Sequence, residues 1–324
     1  MKDLNELLAT VSQLFDQANH TAAPAGLYDP IEYTMHLGGK RLRPALLMAA
    51  CEMFGGEAEQ AANAAMGIEM FHNYTLLHDD LMDQSPLRRG KPTVYRKWNS
   101  NTAILSGDTM FALAWRYMLQ SRCQRLSEVL SCFCNTAIEV VEGQQLDMDF
   151  ERTAKVPIAD YMEMIRLKTA VLLACALKVG ALHTNASAAD VERLYGVGIH
   201  CGLAFQLQDD LLDVYGDVAV FGKQTGQDII DRKKTYMVLR AMELLPPDEA
   251  ASLETMYAEP CIDAAGKVAR VKEVYDRLDL RTVVAEAVDR EFEIATAELD
   301  AIAVPESNKS TMRELVKSLV GRKK

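Results

Sequence analysis

The sequence predicts an all-α protein, a single large helical bundle in which residues 1–324 form one domain. Three observations carry that reading. Apolar residues recur at helical spacing through most of the chain, no alternating strand pattern is sustained, and the interruptions are short connectors without a Ser/Gly linker. Length alone suggests two domains, but no linker divides the chain. The interruptions fall at residues 21–28, 55–57, 84–93, 150–157, 184–188, 215–226, 245–249 and 304–307, with long helices rich in Ala, Leu and Met between them.

Taken in order, the opening residues Met1–Glu6 are amphipathic and do not read as a signal sequence. At Gly38-Gly39-Lys40-Arg41-Leu42-Arg43-Pro44 a basic cluster stands where a helix should begin. Glycines let backbone approach an anion, and a helix N-terminus attracts one. Residues 71–82 are largely apolar and free of Gly and Pro, so they read as helix, and they run into Asp79-Asp80-Leu81-Met82-Asp83. Tracts 102–118 and 172–182 carry few charges, as expected of helices deep in a bundle. The helical stretch 203–214 then repeats the acidic pattern, 130 residues after the first, as Asp209-Asp210-Leu211-Leu212-Asp213.

On a helix, residues four apart share a face. Asp79 and Asp83 therefore project together, as do Asp209 and Asp213, with Asp80 and Asp210 about 100° round. Like charges at that spacing destabilise one another unless something neutralises them. Clusters of hard oxygen ligands suit Mg²⁺, which is often held by one or two carboxylates plus substrate phosphates. Two such clusters facing each other would make a site for a diphosphate ester. A solvated acidic surface is the plainer reading, but Leu76, Leu77, Leu81 and Met82 around the first run, and Leu207, Leu211, Leu212 and Val214 around the second, do not suit one. An EF-hand is excluded, since neither run has its alternating ligands, mid-loop Gly and closing Glu.

Composition narrows the partners. A net charge of −11 supplies no basic field for a phosphate backbone, so a nucleic-acid partner is not expected. Seven cysteines, an odd number without zinc spacing, suggest buried free thiols in a reducing cytoplasm. No apolar run reaches membrane-spanning length, so a soluble protein is expected. Basic residues follow each acidic run: Arg88-Arg89-Gly90-Lys91 after the first, and Lys223, Lys233 and Lys234 after the second. Beside metal-type carboxylates they suggest a diphosphate clamp, cations on both sides of the anion.

Together, Gly38–Pro44, His78–Asp83 with Arg88-Arg89, Lys168-Thr169, Gln206–Asp213, and Gly222-Lys223 through Asp231-Arg232-Lys233 resemble the trans-prenyltransferase (polyprenyl diphosphate synthase) family. The resemblance runs from about Tyr33 to about Tyr236. It implies the isoprenoid synthase fold with a central active-site cavity. It also implies Mg²⁺-dependent head-to-tail condensation of isopentenyl diphosphate with an allylic diphosphate (dimethylallyl, geranyl or farnesyl). By position, Asp79 and Asp83 would hold two Mg²⁺ ions and Asp209 a third, supported by Asp80, Asp210 and Asp213. Arg88, Lys168, Lys223 and Lys233 would clamp the allylic diphosphate, while Thr169 and Gln206 would turn their oxygens to the allylic cation. Lys40, Arg43, His72 and Arg89 would hold isopentenyl diphosphate. No protein base is implied, because departing pyrophosphate takes the proton. The family also implies a homodimer, as does the surplus of apolar surface on 102–118.

Residues before Asp79 would floor the channel for the growing hydrocarbon. Tyr74, five positions before it, is bulky and Thr75 is small, which suggests a channel stopped at fifteen or twenty carbons, with Met110 and Phe111 as further depth setters. His78 receives no role. A cyclising terpene synthase usually has one such motif, a non-catalytic subunit would have lost aspartates, and a helical scaffold needs no anion-binding elements. None of these fits as well.

Overall fold

The helical periodicity becomes helix almost throughout the computed structural model, which describes residues 2–216, 225–259 and 263–320. The chain divides into two compact units. One comprises residues 1–134, 175–195 and 302–315, the other residues 135–174, 196–301 and 316–324.

In the first unit, Leu4–Asp16 starts on a reciprocal cap, Asp3 accepting from the Glu6 N–H at 2.9 Å and Glu6 from the Asp3 N–H at 3.1 Å. It buries Leu7, Val11 and Phe15, four residues apart. Helices Ala25–Met35, Leu42–Met53, Ala62–Met82 and Ser100–Leu119 follow. Ala62–Met82 is buried nearly all round from Ala64 to Phe71. At Gly67 a Cβ would meet the Ala114 carbonyl at 3.1 Å, so the absent side chain is what lets Ser100–Leu119 lie against this helix.

The Ala62–Met82 helix stops at Asp83, and Gln84 takes a left-handed φ of 53°. A two-stranded antiparallel hairpin, Leu87–Arg88 with Lys91–Pro92, follows. The sequence pattern did not anticipate it, because strands of two residues carry no alternation. Its turn, Arg89-Gly90, has φ of 53° and 75°, the mirror-image geometry that matches strand twist. The low charge of 102–118 was expected to place it deep in a bundle. Instead Ile104 and Leu105 are 45% and 59% exposed, so this helix has an outward apolar face. Tract 172–182, in contrast, is buried at every position but Lys178.

In the second unit, Ile158–Ile165 continues into a π-helical turn, Arg166–Ala170, before the start of Val171–Leu182. Two glycines permit that wide turn. A Cβ on Gly143 would fall 2.4 Å from the Lys168 nitrogen, and one on Gly202 would fall 2.4 Å from the Ala170 Cα. Gly143 lies on Leu126–Phe150 and Gly202 on Ala188–Tyr215, the helix that carries the second acidic run. Tyr236–Leu244, Pro247–Ala258, Ala264–Arg277 and Leu280–Asp300 complete the unit around Tyr161, Met237, Val271, Tyr275, Leu280 and Val284. The Lys267 ammonium is buried there, donating to the carbonyls of Tyr257 at 2.7 Å and Glu259 at 3.2 Å, where a helix terminus favours a cation.

Of the cysteines, Cys51, Cys175 and Cys201 are buried free thiols as expected, while Cys123, Cys132 and Cys134 are only half-buried. Cys261 lies outside the described residues. Burial pushes the Cys51 and Cys201 thiols up to about 12, so neither is a nucleophile at neutral pH. Among the described residues no helix is long and apolar enough to cross a membrane.

Candidate active site

The first acidic run closes the C-terminal end of Ala62–Met82, where the helix dipole disfavours anions and makes a cation welcome. Asp80, 5% exposed, is not placed to ligate a metal. The hairpin returns Arg88 to it, with Nε and Nη2 donating to Asp80 Oδ1 at 2.9 and 2.5 Å, and Nη2 also lies 3.8 Å from Asp79. Burial pushes the Asp80 carboxyl up and Arg88 pulls it back, leaving it above its ordinary value. Asp79 is half-buried, and one turn on the cap residue Asp83 is exposed.

The same unit gathers the basic group. Gly38 and Gly39 have positive φ, and Arg89 lies on them. Its Nη1 donates to the Gly38 carbonyl, and a Cβ on Gly39 would sit 2.6 Å from its Cζ. Arg43 Nη1 meets His72 Nε2 at 3.2 Å, so that nitrogen accepts. Burial and then the charges of Arg43, Arg89 and Arg88 push His72 well below its ordinary value, which keeps it neutral. Behind them the buried Glu69 opposes the positive charge, held by Asn73 Nδ2 at 3.3 Å. Lys40 is exposed beside the glycines, and Arg41, left-handed at φ 46°, lies over the Phe15 ring at 4.5 Å.

Below Asp79, the Tyr74 ring packs at 5.5 Å from Phe71, 5.4 Å from Phe111 and 4.9 Å from His78. Thr75 turns its hydroxyl back to the His72 carbonyl at 2.8 Å. Tyr74 is therefore one member of an aromatic group, with Phe111 beside it. His78 Nε2 reaches the Ile104 carbonyl at 3.3 Å over Gly107, which makes it a helix-packing residue.

In the second unit, Asp210 is 3% exposed and has three donors: the Tyr161 hydroxyl, the Tyr236 N–H at 3.1 Å and Gln206 Nε2 at 3.2 Å. Burial outweighs them and pushes its carboxyl up to about 7. Asp213 accepts from the Asp228 N–H at 3.1 Å. Asp228, also raised to about 7 by burial and by Asp213 and Asp210, has Lys233 as its opposing charge. The π turn presents Lys168 to Asp147 at 2.5 Å and Thr169, whose hydroxyl donates to Gln206 Oε1 at 3.1 Å. Lys223 lies outside the described residues. Asp147, Asp228, Glu69 and Tyr161 were missed in the sequence. Of these, Asp228 falls inside the stretch from Gly222 to Lys233 that the sequence had marked.

The donor set fits Mg²⁺. Asp79 with Asp83, and Asp209 with Asp213, stand one turn apart and are less buried than the middle carboxylates, each of which is occupied by two or more protein donor groups. Among the described residues no three His, Cys, Asp or Glu side chains make a protein-only cage. An ion held by one or two carboxylates and a diphosphate needs none.

Comparison with known proteins decides the class of this chemistry. The polyprenyl synthetase family model matches residues 24–278. The chain belongs to the polyprenyl synthetase family. It is 37% identical over 290 residues to a geranylfarnesyl diphosphate synthase of Natronomonas pharaonis, covering 82% of this chain and 84% of that one. Identity is 36% over 284 residues to a geranylgeranyl diphosphate synthase of Methanosarcina mazei, covering 82% and 88%. A crystal structure of a geranylgeranyl pyrophosphate synthase superposes with TM-score 0.94 at 39% identity, over 100% of both chains. The corresponding synthetase from Pyrococcus horikoshii gives 0.91 at 31% identity, over 98% of this chain and 99% of that one. As a polyprenyl synthetase, the protein is a prenyltransferase of the all-helical isoprenoid synthase fold, and the family acts on isopentenyl and allylic diphosphates and is generally Mg²⁺-dependent.

Proposed function

We propose that this polyprenyl synthetase condenses isopentenyl diphosphate head to tail with dimethylallyl, geranyl or farnesyl diphosphate, releasing a short all-trans prenyl diphosphate of fifteen to twenty carbons. The observation that carries the reading is the pair of acidic runs, each with its middle carboxylate held by protein donors and its outer ones on a shared helix face. Asp79, Asp83 and Asp209 would hold the Mg²⁺ ions, three in all. Mg²⁺ held by these carboxylates would supply charge stabilisation for the departing diphosphate.

The chain's own residues do the rest. Arg88, Lys168, Lys223 and Lys233 hold the allylic diphosphate. Lys40, Arg43, His72 and Arg89 hold isopentenyl diphosphate, Glu69 keeping the two arginines together. Thr169 and Gln206 offer oxygen dipoles to the allylic cation, a preorganised electrostatic role. Tyr74, with Phe111 against it, floors the hydrocarbon channel. The whole chain is one catalytic domain, as the family model's span across segments of both units supports. The enzyme works in the cytoplasm as a homodimer, the outward face of Ser100–Leu119 with Ile104 and Leu105 supporting a second copy. Light scattering giving 36.0 kDa would remove the dimer.

The test of the function is direct. Purified protein is mixed with Mg²⁺, isopentenyl diphosphate and one allylic diphosphate at a time, and product length is read by chromatography. Linear C15 or C20 diphosphates are expected. Cyclised hydrocarbon formed without isopentenyl diphosphate would point to a cyclase.

A further inference from the structure

Tyr161 has no place in the mechanism above, yet it is buried, 2% exposed, with its hydroxyl spent on Asp210. From there a continuous chain of hydrogen bonds leads to the π turn. Asp210 Oδ1 accepts from Gln206 Nε2 at 3.2 Å, and Gln206 Oε1 accepts from the Thr169 hydroxyl at 3.1 Å. When Asp210 is ionised its carboxylate only accepts, so the Gln206 NH₂ faces Asp210 and its carbonyl faces Thr169. The one Thr169 proton is then committed, which turns its lone pairs away from Gln206. An amide turned the other way would donate to Thr169 and occupy a lone pair instead.

We infer that Tyr161 is a positioning residue for the allylic-cation end of the site, acting through Asp210 and Gln206 to fix which way the Thr169 oxygen dipole points. The inference rests on the role proposed above for Thr169 and Gln206. Tyr161 and the Tyr236 N–H together hold Asp210 Oδ2, so Oδ1 is the atom left for Gln206. Without the Tyr161 hydroxyl the carboxylate keeps one anchor and can rotate, and the amide loses its fixed orientation. Gly143 and Gly202 hold the other end of the chain, because the turn that carries Thr169 packs directly on them.

The test is a double-mutant cycle. Tyr161→Phe, Thr169→Val and the double variant are compared with the parent at saturating Mg²⁺ and both substrates, with folding followed by circular dichroism. Removal of one preorganised donor at a developing charge lowers kcat by about a hundred- to a thousandfold, and Thr169→Val, which removes one of two oxygen dipoles, should fall near the lower end of that range. Tyr161→Phe should lower kcat about tenfold on the same basis, with KM for isopentenyl diphosphate unchanged. The double variant should be no slower than Thr169→Val within about twofold, because groups acting through one another are not additive. Asp210→Asn provides a second route. Its oxygen must stay on the Tyr236 N–H, so its NH₂ faces Gln206 and turns the amide over; this loss too should vanish in the Thr169→Val background.

A kcat unchanged in Tyr161→Phe, or losses that multiply in the double variant, would overturn the inference while leaving the function standing. A parent that performs no condensation would remove the function itself, and a Thr169→Val enzyme at the parent rate would remove the Thr169 role and the inference with it.

Discussion

Asp80 and Asp210 occupy the same place in two copies of one acidic pattern, and both are buried. Asp80 is held by a full charge, the Arg88 guanidinium brought back by a hairpin. Asp210 is held by neutral donors, a tyrosine hydroxyl, a glutamine amide and a backbone N–H. The first arrangement places a cation next to the outer aspartates. The second places an ordered dipole chain next to Thr169. One sequence pattern thus serves two physical ends: the middle carboxylate of each run is spent on protein donors and organises whatever its own unit supplies, a cation in one and a dipole chain in the other.

The largest expected effect falls on the outer residues. Asp79→Ala or Asp209→Ala should lower turnover by several orders of magnitude, while metal-free melting matches or exceeds the parent because like-charge repulsion is relieved. A variant inactive only because it unfolds would break the comparison at its first step.

Stability should separate the two middle residues. Arg88→Gln leaves the buried Asp80 carboxylate without its cation and should cost about 3 kcal/mol in chemical denaturation. Tyr161→Phe removes one neutral hydrogen bond among three and should cost about 1 kcal/mol. Equal losses would mean that the two runs are held alike.

The response to pH sharpens the same contrast. Asp210 and Asp228 titrate near 7 in the folded protein against an ordinary value of 3.8, so the folded state binds their protons more tightly than the unfolded chain. That contribution is fully present below the unfolded value and is lost as pH rises through 7. Metal-free protein should therefore melt higher at pH 5.5 than at pH 7.5, and Asp210→Asn, which cannot ionise, should narrow the gap. A parent that melts higher at pH 7.5 would contradict it.

The smallest effect on rate belongs to Tyr74→Ala. It should lengthen the product by at least one five-carbon unit while slowing the first condensation only modestly, since packed interiors do not refill such space. An unchanged product would move the floor to Phe111, whose ring stands 5.4 Å from that of Tyr74.

Much of this was legible in the sequence. Unbroken apolar periodicity marked the helices Ala62–Met82 and Ala188–Tyr215, and the i, i+4 rule put the outer aspartates on one face. What was not legible depends on distant partners. Tyr161 is 49 positions from Asp210 and has no local signal of its own. The π turn at Lys168-Thr169 exists because Gly143 and Gly202 allow backbone to approach, a condition set on two other helices. The low charge of 102–118 signalled surplus apolar surface on Ser100–Leu119 but not which side chains, Ile104 and Leu105, face outward, because low charge says that a helix avoids water without saying what covers it.

The division of labour within each acidic run is tested most directly by the Mg²⁺ concentration that gives half-maximal turnover. Asp79→Glu and Asp209→Glu, which keep a carboxylate but misplace it, should raise that concentration about tenfold or more, as expected for disturbed metal ligation. Tyr161→Phe and Arg88→Gln should move it far less than the aspartate variants while lowering maximal turnover, because their direct partners are the middle carboxylates Asp210 and Asp80. Variants of the middle-residue partners that shift the Mg²⁺ requirement as far as the outer aspartates do would contradict the account.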